Sequence, residues 1–267
     1  MKCKFDEVVK SQKSDGTVKS SRCKARKSEG MKRTYLYAAM TEDAAERRRW
    51  TFYEAVKFKL AIFDLDGTLT KERSLWEFIH KRIGKWYGHA ERYQTQFLNN
   101  EISYEEFCRL DAQIWKEMSV KKVKTIVESV PFYKGVGILT SHLKNHGIKL
   151  SLISSGLSIL SDMVKERYAF DYAIANDLLY NNGTLSGEVC INVHFDKKAL
   201  WAERIMNKYK IGREEVIAIG DSMGDKELFE IAGFSVAFNP SSKELNSIAD
   251  VVVSSDNISD IIPKLPF

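Results

Sequence analysis

Two aspartates two residues apart stand in Phe63-Asp64-Leu65-Asp66-Gly67-Thr68-Leu69-Thr70, directly behind the apolar run Leu60–Phe63. Paired carboxylates at a strand end can serve together as a metal ligand and an acid–base group. Gly67 permits a sharp turn away from the strand, and Thr68 can hold the loop by hydrogen bonds. An ordinary Asp-Gly turn would look similar, but it would not need so apolar a strand in front of it. A second acidic cluster, Gly220-Asp221-Ser222-Met223-Gly224-Asp225, follows another apolar run. Its two carboxylates, four apart, suit a hard cation that prefers oxygen ligands. Ser154-Ser155-Gly156 offers a hydroxyl and backbone N–H groups to an anion at a helix N-terminus. Lys197-Lys198 opens a helical pattern and by default would be solvated charge.

These groups sit where an alternating fold would bring them together. Short apolar runs at 59–63, 150–153, 172–175, 216–219, 234–238 and 251–253 read as strands. Helical patterns at about 136–146, 157–167, 197–209 and 225–232 separate them. Strands alternating with helices predict an α/β chain with a Rossmann-like parallel sheet and helices on both faces. In such sheets the reactive site lies at the carboxyl ends of the strands. Asp64, Ser154 and Asp221 all stand at such ends. Asn182-Gly183, flanked by Leu179 and Leu185, signals a hairpin.

Between the first and second strands the chain is helical in pattern. Leu75, Ile79 and Ile83 recur at four-residue spacing, and Ser103 with Glu106 makes a capping box ahead of Phe107, Leu110, Ile114 and Trp115. Val120–Val127 reads as a further helix, closed by Pro131. An insert of this size predicts a lid over the site. The domain reading is therefore a basic extension over 1–57, an α/β core over 58–70 and 132–267, and a helical cap over 71–131.

Composition narrows the function classes. Of 267 residues, 44% are hydrophobic and 29% charged, ordinary for a globular chain. No stretch is long and apolar enough to span a membrane. The net charge of +5 is uneven: residues 1–57 carry 15 Lys and Arg against 8 Asp and Glu, and the rest carry 26 against 28. The basic character belongs to the extension. Residues 1–34 read as disordered, and a helix is expected near 42–55. Nucleic acid is not expected as a partner, since only this tail is basic. The four cysteines, at 3, 23, 108 and 190, form no zinc spacing and read as free thiols of a cytoplasmic protein. His142 and His146 are four apart without a third ligand, so they are not taken as a metal site.

Taken together and in this order, the four motifs resemble those of the haloacid dehalogenase superfamily of aspartate-nucleophile phosphatases. The insert after the first strand and the Asn182-Gly183 hairpin resemble its phosphoserine phosphatase branch. The resemblance covers about 58–267 and implies a magnesium-dependent phosphomonoester hydrolase acting on a small phosphorylated metabolite. It implies Asp64 as nucleophile and Asp66 as acid and base. The metal ligands would be Asp64, Asp66, Asp221 and Asp225. Thr68, Ser154, Ser155, Gly156 and Arg73 would contact phosphate or substrate. The charge-neutralising lysine would be Lys198, with Lys197 the alternative. Phosphotransfer to another acceptor would use the same residues, and a regulatory protein on a phosphatase-like body is the competing class. A monomer or homodimer is expected.

The sequence departs from that branch where the branch meets its substrate. The position nine after the nucleophile, acidic in the branch, is Arg73, with Glu72 beside it. The cap position that holds an arginine in the branch is Asp111, with Arg109 nearby, and the Asn before the last aspartate is Gly224. A pairing of Arg73 with Asp111, and a pocket selecting by shape and apolar contact from Trp76, are the expectations that follow. The best substrate is then a small phosphomonoester other than phosphoserine.

Overall fold

A computed structural model describes residues 58–267. The disorder read over 1–34 and the helix expected near 42–55 lie outside the described residues. Seven strands form one sheet: β1 (Leu60–Phe63), β2 (Lys149–Leu157), β3 (Tyr172–Asn181), β4 (Thr184–Cys190), β5 (Val216–Gly220), β6 (Phe234–Phe238) and β7 (Val251–Val253). Their order is β4-β3-β2-β1-β5-β6-β7, all parallel except the β3–β4 hairpin. The hairpin turn holds Asn182 at φ 49° and Gly183 at φ 81°. Two positive φ values in succession make the turn whose twist matches the strands it joins.

β1 lies between β2 and β5, with Phe63 opposite Leu152 on one side and Ile219 on the other. The chain reverses its direction of winding there, which opens a crevice beyond the carboxyl ends of the strands. Alternation along β1 feeds two cores. Ala61 and Phe63 join a cluster with Leu139, Leu143, Leu160 and Val164 on one face. Leu60 and Ile62 join Trp201, Ile205, Leu228 and Leu245 on the other. The first set comes from α5 (Val136–Asn145) and α6 (Ser158–Tyr168). The second comes from α7 (Lys198–Tyr209), α8 (Lys226–Ile231) and α9 (Lys243–Ile248). Apolar runs buried on both faces are what a covered parallel sheet requires.

Four α-helices fill the chain between β1 and α5: α1 (Leu75–Arg82), α2 (Glu91–Leu98), α3 (Tyr104–Ile114) and α4 (Val120–Glu128). Ser74, Ser103 and Ser119 cap α1, α3 and α4, each side chain accepting a backbone N–H of the first turn. Only half of the capping box read at Ser103 forms. The Glu106 carboxylate turns to Arg109, one turn along, rather than back to Ser103. Phe107, Trp115 and Val123 pack into the same cluster as the sheet, so these helices share the core of the body beneath them.

β2 runs past the apolar run that announced it. Its pairing with β3 steps from Ile153↔Ile174 to Leu157↔Asn176, leaving a bulge over 154–156. A bulge lifts residues out of the ladder and re-aims their side chains. Of the thiols, Cys108 is buried and free as expected, but Cys190 is disulfide-bonded, which corrects the free-thiol reading there. Among the described residues no helix is long and apolar enough to cross a membrane.

Candidate active site

Asp64 is the first residue after β1, and its N–H extends the ladder to Ile219 O at 2.9 Å. Its side chain is buried. The chain then turns back over Leu65, whose carbonyl accepts from the N–H groups of Thr68, Leu69 and Thr70. Gly67 makes this possible twice over. Its φ of +85° suits glycine, and a Cβ there would lie 2.4 Å from Asp221 Oδ2. Thr68, fully buried behind this turn, donates from Oγ1 to Asp221 Oδ1 at 3.1 Å.

Asp221 follows β5 directly, and Asp225 closes the short turn after it. Asp225 Oδ2 accepts from the N–H groups of Asp221 and Ser222, both at 3.1 Å, and so fixes the loop that carries Asp221. Lys198, on the first turn of α7, places Nζ 2.7 Å from both Asp64 Oδ1 and Asp225 Oδ1. The adjacent Lys197 is exposed.

This much buried charge perturbs every group. Burial, then the charge of Asp225, pushes Asp64 up to about 7 against the pull of Lys198. Burial and the charges of Asp64 and Asp225 raise Asp221 well above the ordinary carboxylate range. Burial alone would lower the Lys198 ammonium, but Asp225 and Asp64 outweigh it and hold it above its ordinary value. Asp64, Asp221 and Asp225 each offer an oxygen, and these lie within 4.8 Å of one another. Three buried carboxylates so close, set against one buried ammonium and the half-exposed Arg73, fit a hard cation.

Asp66 bridges the loop to the first helix of the insert. Its Oδ2 accepts from Leu75 N at 3.2 Å, at the positive end of α1, while Oδ1 is buried without a partner. Burial pushes Asp66 up to about 6, although the Leu75 hydrogen bond works against this. Opposite, Ser154 Oγ accepts from Gly156 N at 2.9 Å. The Ser155 carbonyl accepts from Tyr104 Oη at 2.6 Å and from Asn176 Nδ2 at 2.8 Å.

Asp64, Asp66, Arg73, Ser154, Ser155, Gly156 and Lys198 line one cavity of about 210 Å³ between the sheet and the insert. Asp221 and Asp225 stand behind Asp64, and Thr68 reaches the site only through Asp221. The expected Arg73–Asp111 pair does not form. Arg73 donates to Asp221 Oδ2 at 3.2 Å and to Asn239 O at 3.0 Å. Asp111 is turned into the packing between α1 and α3, 3.3 Å from His80 Nε2. Tyr104, Asn176 and Phe195 escaped the sequence reading. Asn176, a polar residue continuing an apolar strand, was the one available signal; Tyr104 and Phe195 carried none.

A family model described as haloacid dehalogenase-like hydrolase matches residues 61–230. A phosphoserine phosphatase of Archaeoglobus fulgidus is 29% identical over 211 residues, which span 78% of this chain and 60% of that protein. One of Methanocaldococcus jannaschii is 27% identical over 77% of this chain and 97% of its own length. Among solved structures, a substrate-bound phosphoserine phosphatase complex superposes with a TM-score of 0.70 at 25% identity, covering 78% of this chain and 99% of that one. With the strand order, the acidic triad and these matches in agreement, the chain belongs to the haloacid dehalogenase-like hydrolases and is phosphoserine phosphatase-like within them.

Proposed function

We propose that the protein is a magnesium-dependent phosphomonoester hydrolase that works through an aspartyl-phosphate on Asp64 and takes a small phosphorylated metabolite. One observation carries the reading. A buried carboxylate, held 2.7 Å from a buried ammonium, lines the same cavity as a second carboxylate with an unpartnered oxygen. That is a nucleophile, a charge partner and a proton carrier in one place.

In the first step an Asp64 oxygen attacks phosphorus, and the bond to the leaving alkoxide oxygen breaks. Asp66, whose raised pKa suits it to hold a proton near neutral pH, gives that proton to the departing oxygen. In the second step Asp66 takes a proton from water, the water oxygen attacks the same phosphorus, and the Asp64 carboxylate leaves with inorganic phosphate released. Lys198 and the Ser154-Ser155-Gly156 bulge receive the phosphoryl oxygens as charge develops on them. Asp64, Asp221 and the Asp66 backbone carbonyl would hold the magnesium, with Asp225 bracing the Asp221 loop. When bound, the ion supplies positive charge against the phosphoryl and carboxylate oxygens. Thr68 contributes by orienting Asp221, and Arg73 flanks the substrate. We take 71–131 as the cap that excludes water from the site.

The relatives in sequence are phosphoserine phosphatases, and one solved neighbour is the phospho-aspartyl intermediate analogue of such an enzyme. Phosphomonoester chemistry is therefore the shared reading, with phosphoserine a secondary substrate here. A phosphate-release screen over small phosphomonoesters tests it. Release from at least one ester in magnesium, lost in excess chelator, is expected. Failure to release phosphate from any ester with magnesium present overturns the reading.

A further inference from the structure

The charged side chains in the cavity lining are Asp64, Asp66, Lys198 and Arg73. The first three are committed to the reacting phosphoryl group, which leaves Arg73 to meet the alcohol half of the substrate. Its guanidinium is fixed from two sides. Nη1 donates to Asp221 Oδ2 at 3.2 Å, and Nη2 donates to Asn239 O at 3.0 Å. Asn239 is itself held, because its side chain donates to Ser255 O and accepts from Ser255 N. A guanidinium carries five N–H donors, so these two bonds leave three, on a side chain that is half exposed. A cation already held in one orientation, with donors to spare, loses little freedom when it takes a carboxylate.

A substrate ammonium has no such host. The carboxylates in the lining are Asp64 and Asp66, the nucleophile and the proton carrier. Glu72, whose charge reaches Asp66, does not line the cavity. Ser74 and Gln94 do line it, but they are neutral and suit a hydroxyl rather than a full charge. An ammonium on the alcohol would also be repelled by Arg73. The span is short as well. Arg73 Nη1 touches Asp221 Oδ2, and Asp221 and Asp64 offer oxygens within 4.8 Å of each other. An alcohol of about two or three carbons bridges from the nucleophile to the guanidinium, and the cavity of about 210 Å³ suits that size. We infer that the substrate is the phosphate ester of a short hydroxy acid, with its carboxylate received by Arg73 and no ammonium group. This names the substrate class of the hydrolase proposed above and rests on that reading for the phosphoryl group.

Four esters test it in magnesium, the chiral ones as racemates: 3-phosphoglycerate, O-phosphoserine, glycerol 1-phosphate and phosphoethanolamine. The first differs from the second by a hydroxyl in place of an ammonium, and from the third by a carboxylate in place of a hydroxymethyl group. The kcat/KM for 3-phosphoglycerate should exceed that of each of the others by about tenfold or more. Arg73→Gln should cut its lead over glycerol 1-phosphate to within about twofold. Because this comparison is a ratio within each protein, a general loss of activity through Asp221 does not affect it. Calorimetry repeats the comparison without turnover, and 4-phosphonobutanoate should bind more tightly than 4-hydroxybutylphosphonate or 2-amino-4-phosphonobutanoate. These wild-type comparisons decide the matter even if Arg73→Gln does not fold. A kcat/KM for any of the other three esters that equals or exceeds that of 3-phosphoglycerate overturns the inference and leaves the hydrolase reading standing. A carboxylate preference unchanged in a folded Arg73→Gln overturns the role of Arg73. Tightest binding of 4-phosphonobutanoate with no turnover of any ester supports the inference and removes the hydrolase reading.

Discussion

Lys198 is held between Asp64 and Asp225, 2.7 Å from each and almost without solvent. Replacing it by methionine keeps the stem and removes the charge, leaving Asp64 and Asp225 facing each other without compensation. Breaking a buried pair from one side costs about 3 kcal/mol or more, so urea unfolding of metal-free Lys198→Met should show a loss of that order. Turnover should fall about a hundredfold or more if, as proposed, the ammonium also meets the developing charge on the phosphoryl group. Unchanged steady-state rates would remove Lys198 from the chemistry. At this scale the sequence was nearly sufficient. The aspartates were legible because each motif ends an apolar run. The choice between Lys197 and Lys198 was not, and it turns on helix phase. Lys198 shares the inward stripe of α7 with Trp201, Ala202 and Ile205. Trp201, three residues further along that stripe, is the nearest marker of the phase.

Tyr104 begins α3 and reaches across to the bulge of β2, where its hydroxyl and Asn176 share the Ser155 carbonyl. Asn176 is itself fixed, since its Oδ1 accepts from Asn192 N and Val193 N. One element of the insert thereby holds the segment that would cradle phosphate. Tyr104→Phe removes a single hydroxyl from this network. The expected cost is about 1 kcal/mol in stability and roughly tenfold in kcat/KM, seen by thermal unfolding and initial rates. An unchanged kcat/KM would show that α3 does not position the bulge. Elements were the most legible level: six strand cores and four helices of the body were visible in the periodicity, β4 only through its hairpin turn, and α9 (Lys243–Ile248), six residues long, not at all. The bulge was not, because it arises from the register of β2 against β3 rather than from residues 154–156 alone. Nor was the partner of Asp111, which depends on how α3 packs on α1 and so on contacts distant in sequence.

Across the whole molecule, the sheet order sets β1 between β2 and β5, so three loops far apart in sequence converge. The insert lines the same cavity and shares their core. Assembled without a cation, the site confines like charges, so a divalent ion that binds the folded state alone should stabilise it. Magnesium at about a hundredfold its Kd should raise stability by about 3 kcal/mol and the melting temperature by several degrees, reversed by chelator. No shift in the melting temperature would argue against the triad as a metal site. The central claim is that Asp64 forms the covalent intermediate, and Asp64→Asn tests it most directly. The substitution preserves size and removes the nucleophilic charge. Phosphate release by this variant should be measured in magnesium on the best ester, beside a thermal melt confirming that it is folded. The account predicts a folded protein whose turnover is lower by about a thousandfold or more; a folded Asp64→Asn that turns over at the wild-type rate would contradict it.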